Sequence, residues 1–160
     1  MSKFFENEAT MPQPATPGSD IFGPRPKELE QKAEEVKSRH GENSFEYASA
    51  LVRWGDAHMI QGKLSNPQAL GCYEQAMKIV SAAGESTAET AFVFDKLANV
   101  KQSSGDTAAA AIDLAKAIEI WKVLDANSRF VTDHHMERRI EDLTRMERVV
   151  AFNSRRPPEL

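Results

Sequence analysis

The chain has 160 residues, 41% of them hydrophobic and 28% charged, which suits one domain of ordinary size with a buried core. Its 20 basic and 24 acidic residues give a net charge of −4 with no strong field of either sign, which argues against nucleic acid as a partner. The single cysteine, Cys72, excludes a disulfide framework within the chain.

The cellular compartment of the protein is predicted from the same composition. A lone cysteine favours a reducing environment, and the residues after Met1 contain no apolar signal-peptide segment. No apolar run approaches the roughly 20 residues that a transmembrane helix needs. We therefore expect a cytoplasmic protein that does not insert into a membrane.

Residues 1–26 are rich in proline and are predicted to form an extended or disordered arm, because proline removes backbone donors and disfavours helix before it. Two apolar pairs, Phe4-Phe5 and Ile21-Phe22, interrupt the arm. Two interpretations stay open. The aromatic residues belong to a floppy terminus, or Ile21 and Phe22 form a docking segment that binds a groove of this protein or of a partner.

Residues 27–40 are predicted to form the first helix. Leu29, Ala33 and Val36 fall on one face at helical spacing, and Gly41 is a suitable C-terminal stop. Because this apolar stripe is narrow, the helix needs a neighbour to be stable. Either Asn43 or Ser44 would cap the helix that follows.

The stretch from Leu51 to Met77 contains two helical patterns separated by Gly62 and Pro67. A second copy runs from residue 89 to residue 121. Matched positions are 43 residues apart before the turn and 41 after it, which places a two-residue insertion in the first turn, within residues 63–68. The matched pairs are Ala48 with Ala91, Leu51 with Phe94, Trp54 with Leu97, Gly55 with Ala98, Gly62 with Gly105, Ala69 with Ala110, Tyr73 with Leu114, Ala76 with Ala117, and Met77 with Ile118.

The two copies resemble the tetratricopeptide repeat family. Its first helix has an apolar residue, two spacers, a second apolar residue and a small residue, and small residues frame an aromatic on its second helix. His58 and Lys101 stand where the family usually has a further aromatic, and the spacing looks like the longer variety seen in kinesin light chains. The matching segments are Leu51-x-x-Trp54-Gly55, Ala69-x-x-x-Tyr73-x-x-Ala76, Phe94-x-x-Leu97-Ala98 and Ala110-x-x-x-Leu114-x-x-Ala117.

This resemblance implies an all-α fold, a right-handed α-solenoid of about two helical-hairpin repeats plus flanking helices. The small residues would let paired helices approach, while Trp54, Tyr73, Phe94 and Leu97 fill the space between them. The predicted organisation is an arm at 1–26, a helical domain at 27–153 and a flexible tail at 154–160. Within the domain we expect a flanking helix at 27–40, repeats at 44–83 and 86–124, and a capping helix at 129–153.

The predicted capping helix has one apolar stripe and densely charged remaining faces. Met136, Ile140, Leu143 and Val150 form the stripe, together with position 146 or 147. No turn glycine and no further helix follow, which is typical of a polar cap that ends a stack of repeats.

No nucleophile elbow, phosphate-binding glycine loop or zinc motif is present, so we predict no catalytic residue, no cofactor and no metal site. His134, Glu137 and Glu141 share a helix face, but no second group of ligands completes a coordination sphere. His58 is interpreted as a half-buried packing residue and Cys72 as a structural thiol.

The resemblance also implies that the first helices of the repeats line a concave groove that binds a partner peptide or helix. Val52 and Asp56 stand where chaperone-tail-binding members have Lys and Asn, so their carboxylate clamp is not expected. A mixed apolar and weakly acidic groove would favour an amphipathic helix or a neutral to basic peptide. The same residues also fit an ordinary solvent-facing surface. The predicted groove residues are Ser49, Val52, Asp56, Met59, Phe92, Asp95, Lys96, Asn99 and Gln102.

Two functions follow from this interpretation. The first is a non-catalytic interaction module, an adaptor or assembly scaffold that holds a partner segment in the groove. The alternative is a structural subunit of a larger complex, whose groove is filled by its own N-terminal arm or by a neighbouring subunit. Association of identical copies also stays open.

Overall fold

A computed structural model describes residues 25–124 and 133–157, without the side chains of residues 133–135. These parts of the chain are helical and contain no strand, which confirms the predicted all-α class. Stacking into a solenoid stays a prediction. The α-helices are α1 (Pro26–His40), α2 (Phe45–Gln61), α3 (Asn66–Ala83), α4 (Ala88–Ser103), α5 (Thr107–Val123) and α6 (Asp133–Ser154), with a 3-10 helix at Lys63–Ser65.

The starts of α2, α4 and α5 follow local capping chemistry. Ser44, one of the two predicted caps, accepts a hydrogen bond of 3.1 Å from the backbone N–H of Tyr47. Thr87 and Asp106 cap α4 and α5 in the same way, through side-chain oxygens that accept backbone N–H groups. Each cap satisfies a donor that the first turn of a helix leaves without an intrahelical partner.

The two matched turns depend on glycine. Gly62 ends α2 with φ of 104°, and Gly105 follows α4 with φ of 88°. Residues with a side chain rarely adopt this left-handed conformation, so each glycine lets the chain reverse after a first helix. The 3-10 helix Lys63–Ser65 lies in the longer of the two turns, where the sequence comparison places its insertion.

The described helices divide into two compact units, one ending at Glu85 and the other beginning at Ser86. In the N-terminal unit α2 packs against both α1 and α3, and Leu51, Tyr73 and Val80 are fully buried. In the C-terminal unit α5 packs against both α4 and α6. Its core includes Ala98, Leu114 and Met146, which come from three different helices.

The start of the first helix differs by one residue from the sequence-based prediction. Helix α1 begins at Pro26, inside the predicted arm, because proline is well tolerated in the first helical turn where its missing N–H has no intrahelical role. Residues 1–24 and 125–132 and the last three residues of the chain lie outside the described part, including Ile21, Phe22 and the start of the predicted capping helix.

Two of the four large side chains predicted to fill the repeats do so. Tyr73 and Leu97 are buried, whereas Trp54 and Phe94 are only partly buried. The Trp54 ring lies 6.0 Å from that of His58, and the Lys116 ammonium lies 5.4 Å from the centre of the Phe94 ring. Both rings therefore lie at the edge of their hairpin rather than in its interior.

Candidate functional site

The predicted groove residues of α2 are largely occupied by packing. Ser49 and Val52 are 5% and 2% exposed, so the prediction that they present side chains to a partner is wrong. Helix α2 contacts α1, α3 and the 3-10 helix, which leaves little of its circumference open. Met59 is half-buried.

Asp56 takes part in the contact between α2 and α3. The Tyr73 hydroxyl donates a hydrogen bond of 2.5 Å to Asp56 Oδ1. Burial, and then the neighbouring Asp56 carboxylate, raise the pKa of Tyr73 far above its ordinary value, so the phenol keeps its proton and remains the donor. Asp56 therefore stabilises the hairpin and contributes less to a binding surface than its position on α2 suggests.

The five predicted groove residues of α4 form the more open surface. Asn99 and Gln102 are exposed, and Phe92, Asp95 and Lys96 are half-buried. They share one side of the helix, opposite the side that carries buried Val93, Leu97 and Val100. We refer to Phe92, Asp95, Lys96, Asn99 and Gln102 as the α4 face.

Helix α6 reaches the α4 face through Arg139. The Arg139 Nε–H donates to Asp95 Oδ1 at 3.1 Å, and Nη2 contacts the same oxygen. Arg139 Nη1 also donates to Asp142 Oδ2 at 3.4 Å. The Asp95 and Arg139 side chains are each 16% exposed, which reduces screening by water. The charge of Asp95 is therefore already compensated within the unit, and its contact with a partner stays a prediction.

The sequence interpretation assigned Arg139 to the solvent and missed this role. The side of α6 turned toward its neighbours contains Met136, Arg139, Leu143 and Met146, at alternating spacings of three and four. Predicted stripe residue Ile140 is 39% exposed instead. Spacings of three and four fit residue 140 as well as residue 139, so the helical period gave no signal that selects Arg139.

The α4 face joins an aromatic ring to polar groups. The Lys96 ammonium lies 5.1 Å from the centre of the Phe92 ring, within the range of a cation–π interaction. Asn99 and Gln102 follow one and two turns further along α4 and carry both hydrogen-bond donors and acceptors. With Asp95 compensated by Arg139, the surface is amide-rich, and the Lys96 ammonium is its other charged group.

A second ion pair lies between the helices of the C-terminal hairpin. Lys101 Nζ donates to Asp113 Oδ2 at 2.5 Å, and the Asp113 side chain is 8% exposed. The sequence comparison placed Lys101 at an aromatic position of the repeat but did not predict its partner. Such a pair holds α4 against α5.

The two other candidates for reactive side chains, Cys72 and His58, are buried and half-buried within the N-terminal unit. Burial raises the pKa of the Cys72 thiol to about 11, with a smaller contribution from the Glu30 carboxylate, so little thiolate exists near neutral pH. Partial burial lowers the pKa of the His58 imidazole against an opposing effect of Glu30. Neither is aligned with a partner for nucleophilic chemistry in the contacts described.

Metal binding and membrane insertion find no support within the described residues. No group of three His, Cys, Asp or Glu side chains there could hold a metal ion, and the His134 side chain lies outside them. None of the helices described is long and apolar enough to cross a membrane.

A shallow depression of about 430 Å³ lies on the N-terminal unit, between the α1–α2 connection and α3. Polar side chains predominate in its lining, among them Glu42, Glu74 and Lys78. Its lining contains no histidine, cysteine or hydroxyl side chain.

Comparison of the chain with known protein families, with curated proteins and with solved structures gives no match.

Proposed function

We propose that this chain is a non-catalytic protein-interaction module, an adaptor or assembly scaffold, which binds a partner segment on the α4 face. The open, amide-rich surface of Asn99 and Gln102 beside Phe92 carries this proposal. It lies on a helix whose opposite side is packed into a core, so partner contacts would form on a rigid support.

The chemistry of the α4 face favours recognition of backbone and apolar groups over charge. A side-chain amide offers one donor group and one acceptor, as a peptide unit does, so Asn99 and Gln102 suit an extended segment or a helix end. Phe92 supplies an apolar platform of the kind enriched where partners bind. Because Asp95 is compensated by Arg139, we propose a near-neutral partner rather than a basic one.

We also propose that the two helical hairpins are tetratricopeptide-like repeats. Each has a small residue on its first helix, Gly55 or Ala98, where the second helix approaches with Tyr73 or Leu114. Helix α6 packs on α5, as the first helix of a following repeat would. The cytoplasm is the proposed location, on the evidence of the single buried cysteine.

The test is quantitative affinity purification from the native cell with an Asn99→Ala/Gln102→Ala variant. Both residues are exposed, so we expect a stability change within about 0.5 kcal/mol and a loss of at least about tenfold in the enriched partner, the size of one or two hydrogen bonds. A Gln61→Ala/Gln68→Ala variant is the matched control, since these exposed amides lie in the N-terminal unit. Equal recovery by the two variants would refute binding at the α4 face.

A further inference from the structure

The outer side of helix α6 carries a small surface that is both basic and apolar. Its members lie on one side of the helix, because three of them follow the first by three, four and seven residues. This side is turned away from Leu143, which packs against the core of the C-terminal unit. We refer to the four exposed residues as the α6 patch: Arg145, Arg148, Val149 and Phe152.

The apolar members of the α6 patch are open to solvent. Phe152 is 67% exposed and Val149 is 43% exposed, and they lie within one turn of each other. Aromatic residues and arginine are enriched where proteins bind one another, and a guanidinium group can bind a carboxylate through two N–H groups. The α6 patch therefore combines a platform for an apolar side chain with donors for an anion.

The arginines of the α6 patch are only weakly compensated by the helix itself. Arg145 Nη1 lies 3.9 Å from Asp142 Oδ1, and the other oxygen of this carboxylate accepts a hydrogen bond from Arg139. The Arg145 side chain is 76% exposed, so water screens its contact with Asp142. Glu141, one turn before Arg145, is also exposed. Exposed contacts of this kind are weak, so a partner's carboxylate can replace them.

Positive charge prevails at this end of α6. Glu147 is two residues from both Arg145 and Val149, so it projects from the opposite side of the helix. Arg155 and Arg156 follow in the turn that ends the helix, and both are exposed. The α6 patch therefore lies in a basic region, although the whole chain has a net charge of −4.

This difference in sign limits the kind of partner. A nucleic acid or an anionic membrane presents negative charge over an area wider than the α6 patch, which the acidic remainder of the chain would oppose. A helix that lies in a membrane surface also needs a free apolar face, whereas the apolar stripe of α6 is packed on α5. A short acidic segment of another protein meets neither obstacle, since it contacts the α6 patch alone.

We propose that the α6 patch binds an acidic, amphipathic helical segment of a partner protein. Carboxylates of this segment bind Arg145 and Arg148, and an apolar side chain on the same face packs on Val149 and Phe152. A helix suits the α6 patch because residues at spacings of three and four project from one side of it. The proposal goes beyond binding at the α4 face, which involves other residues, so either surface can fail without the other.

A designed peptide tests this specificity on the full-length chain. The probe is three repeats of Ala-Glu-Ala-Ala-Leu-Ala-Ala, which places Glu and Leu on one helix face, and the control peptide has Gln in place of Glu. In an NMR titration of the isotope-labelled chain, we expect the acidic peptide to shift the signals of residues 145–152 with a Kd below about 100 μM. The Arg145→Gln/Arg148→Gln variant should bind about five- to thirtyfold more weakly, the size of two exposed ion pairs.

Two further variants separate charge from apolar contact and from total charge. Phe152→Ser should weaken binding at least about fivefold, because the apolar platform is lost. The Lys27→Gln/Lys32→Gln variant is the matched control, since it removes the same charge from exposed positions of α1 in the other unit. It should bind the peptide as the unchanged chain does, and so should Asn99→Ala/Gln102→Ala.

Several outcomes would overturn the proposal. These are the absence of binding at about 100 μM acidic peptide, equal binding of the two peptides, and equal binding by the arginine variant and its matched control. Tighter binding to vesicles of equal parts phosphatidylserine and phosphatidylcholine, lost in the arginine variant, would assign the α6 patch to a membrane instead. Self-association that Phe152→Ser abolishes would assign it to a second copy of the chain.

Discussion

The two helical hairpins have matched sequences but reach close helix packing with different side chains. In the N-terminal hairpin the Tyr73 ring lies against Gly55, and a Cβ built on Gly55 would come within 2.6 Å of the ring. In the C-terminal hairpin the corresponding residues are Leu114 and Ala98, which share one core cluster. The larger Tyr73 side chain is matched with glycine, which has no Cβ, and the smaller Leu114 side chain is matched with the methyl group of Ala98. The summed side-chain volume between the two helices is therefore roughly the same in both hairpins.

Their polar contacts differ more. The N-terminal hairpin uses the Tyr73 hydroxyl, whereas the C-terminal hairpin uses the ion pair of Lys101 and Asp113. The positions matched to this pair carry His58 and Cys72. The two copies therefore share the apolar volume between their helices but differ in the polar contact that joins those helices.

Each unit contains one of the two tryptophans, Trp54 and Trp121, which makes the comparison measurable. A Trp121→Phe background reports unfolding of the N-terminal unit, and a Trp54→Phe background reports the C-terminal unit. The following stability predictions refer to urea unfolding followed by fluorescence in the corresponding background.

The largest effect is expected from Lys101→Met in the C-terminal unit. Asp113 would be left as a buried carboxylate without its partner, and we expect the free energy of unfolding to fall by about 3 kcal/mol. The Lys101→Met/Asp113→Leu variant should recover most of this loss, because an apolar pair replaces the ion pair without an uncompensated charge. If the double variant is as unstable as the single one, the ion pair is not the contact that matters.

Gly55→Ala tests the volume match in the N-terminal unit. The added methyl group would overlap the Tyr73 ring, so we expect a loss of about 1–2 kcal/mol even though alanine favours helix. Combining it with Tyr73→Leu, which reproduces the pair of the other hairpin, should cost less than the sum of the two single changes. Gly71→Ala is the control, because Gly71 has open space around its Cβ position, and it should raise stability by up to about 1 kcal/mol.

The rate at which the Cys72 thiol is alkylated measures opening of the N-terminal unit, independently of the C-terminal unit. Its pKa of about 11 lies above the ordinary 9.0, so the thiolate is scarce at pH 8 and alkylation should be at least about a hundredfold slower than in urea. Gly55→Ala should accelerate labelling, and Lys101→Met should not. Because the folded-state pKa is raised, the contribution of Cys72 to stability is complete below about pH 9 and declines as the pH rises toward 11. Labelling that accelerates equally in both variants would show that the units open together.

The smallest effect concerns His58, where the other hairpin has Lys101. Its folded-state pKa is lowered from 6.5, mainly by burial, so its contribution to stability is present above that pH and is lost as the pH falls below it. We expect a shallow decrease in N-terminal unit stability below pH 6.5 that is absent in His58→Gln. An NMR titration of the imidazole gives the pKa directly, and a value above 6.5 would contradict the prediction.

Local sequence signals predicted the elements with short-range causes. Ser44 begins α2, while Gly62 and Gly105 shape the two matched turns, because a capping oxygen or a left-handed glycine acts within a few residues of itself. The matched copies also placed Tyr73 and Leu114 in the interior. Trp54, the other prominent aromatic of the first copy, is only partly buried, since the repeat pattern does not define the edge of a hairpin.

The amino-acid sequence by itself determined that the described part of this chain forms helices, that Ser44 caps one of them, and that glycine shapes the two matched turns. Only the tertiary structure decided that Ser49 and Val52 are buried. It also decided that Arg139, 44 residues later in the chain, compensates the charge of Asp95, and that Lys101 forms an ion pair with Asp113. The reason is physical. Capping and helical periodicity act along the chain, whereas burial and charge compensation depend on which helices pack together.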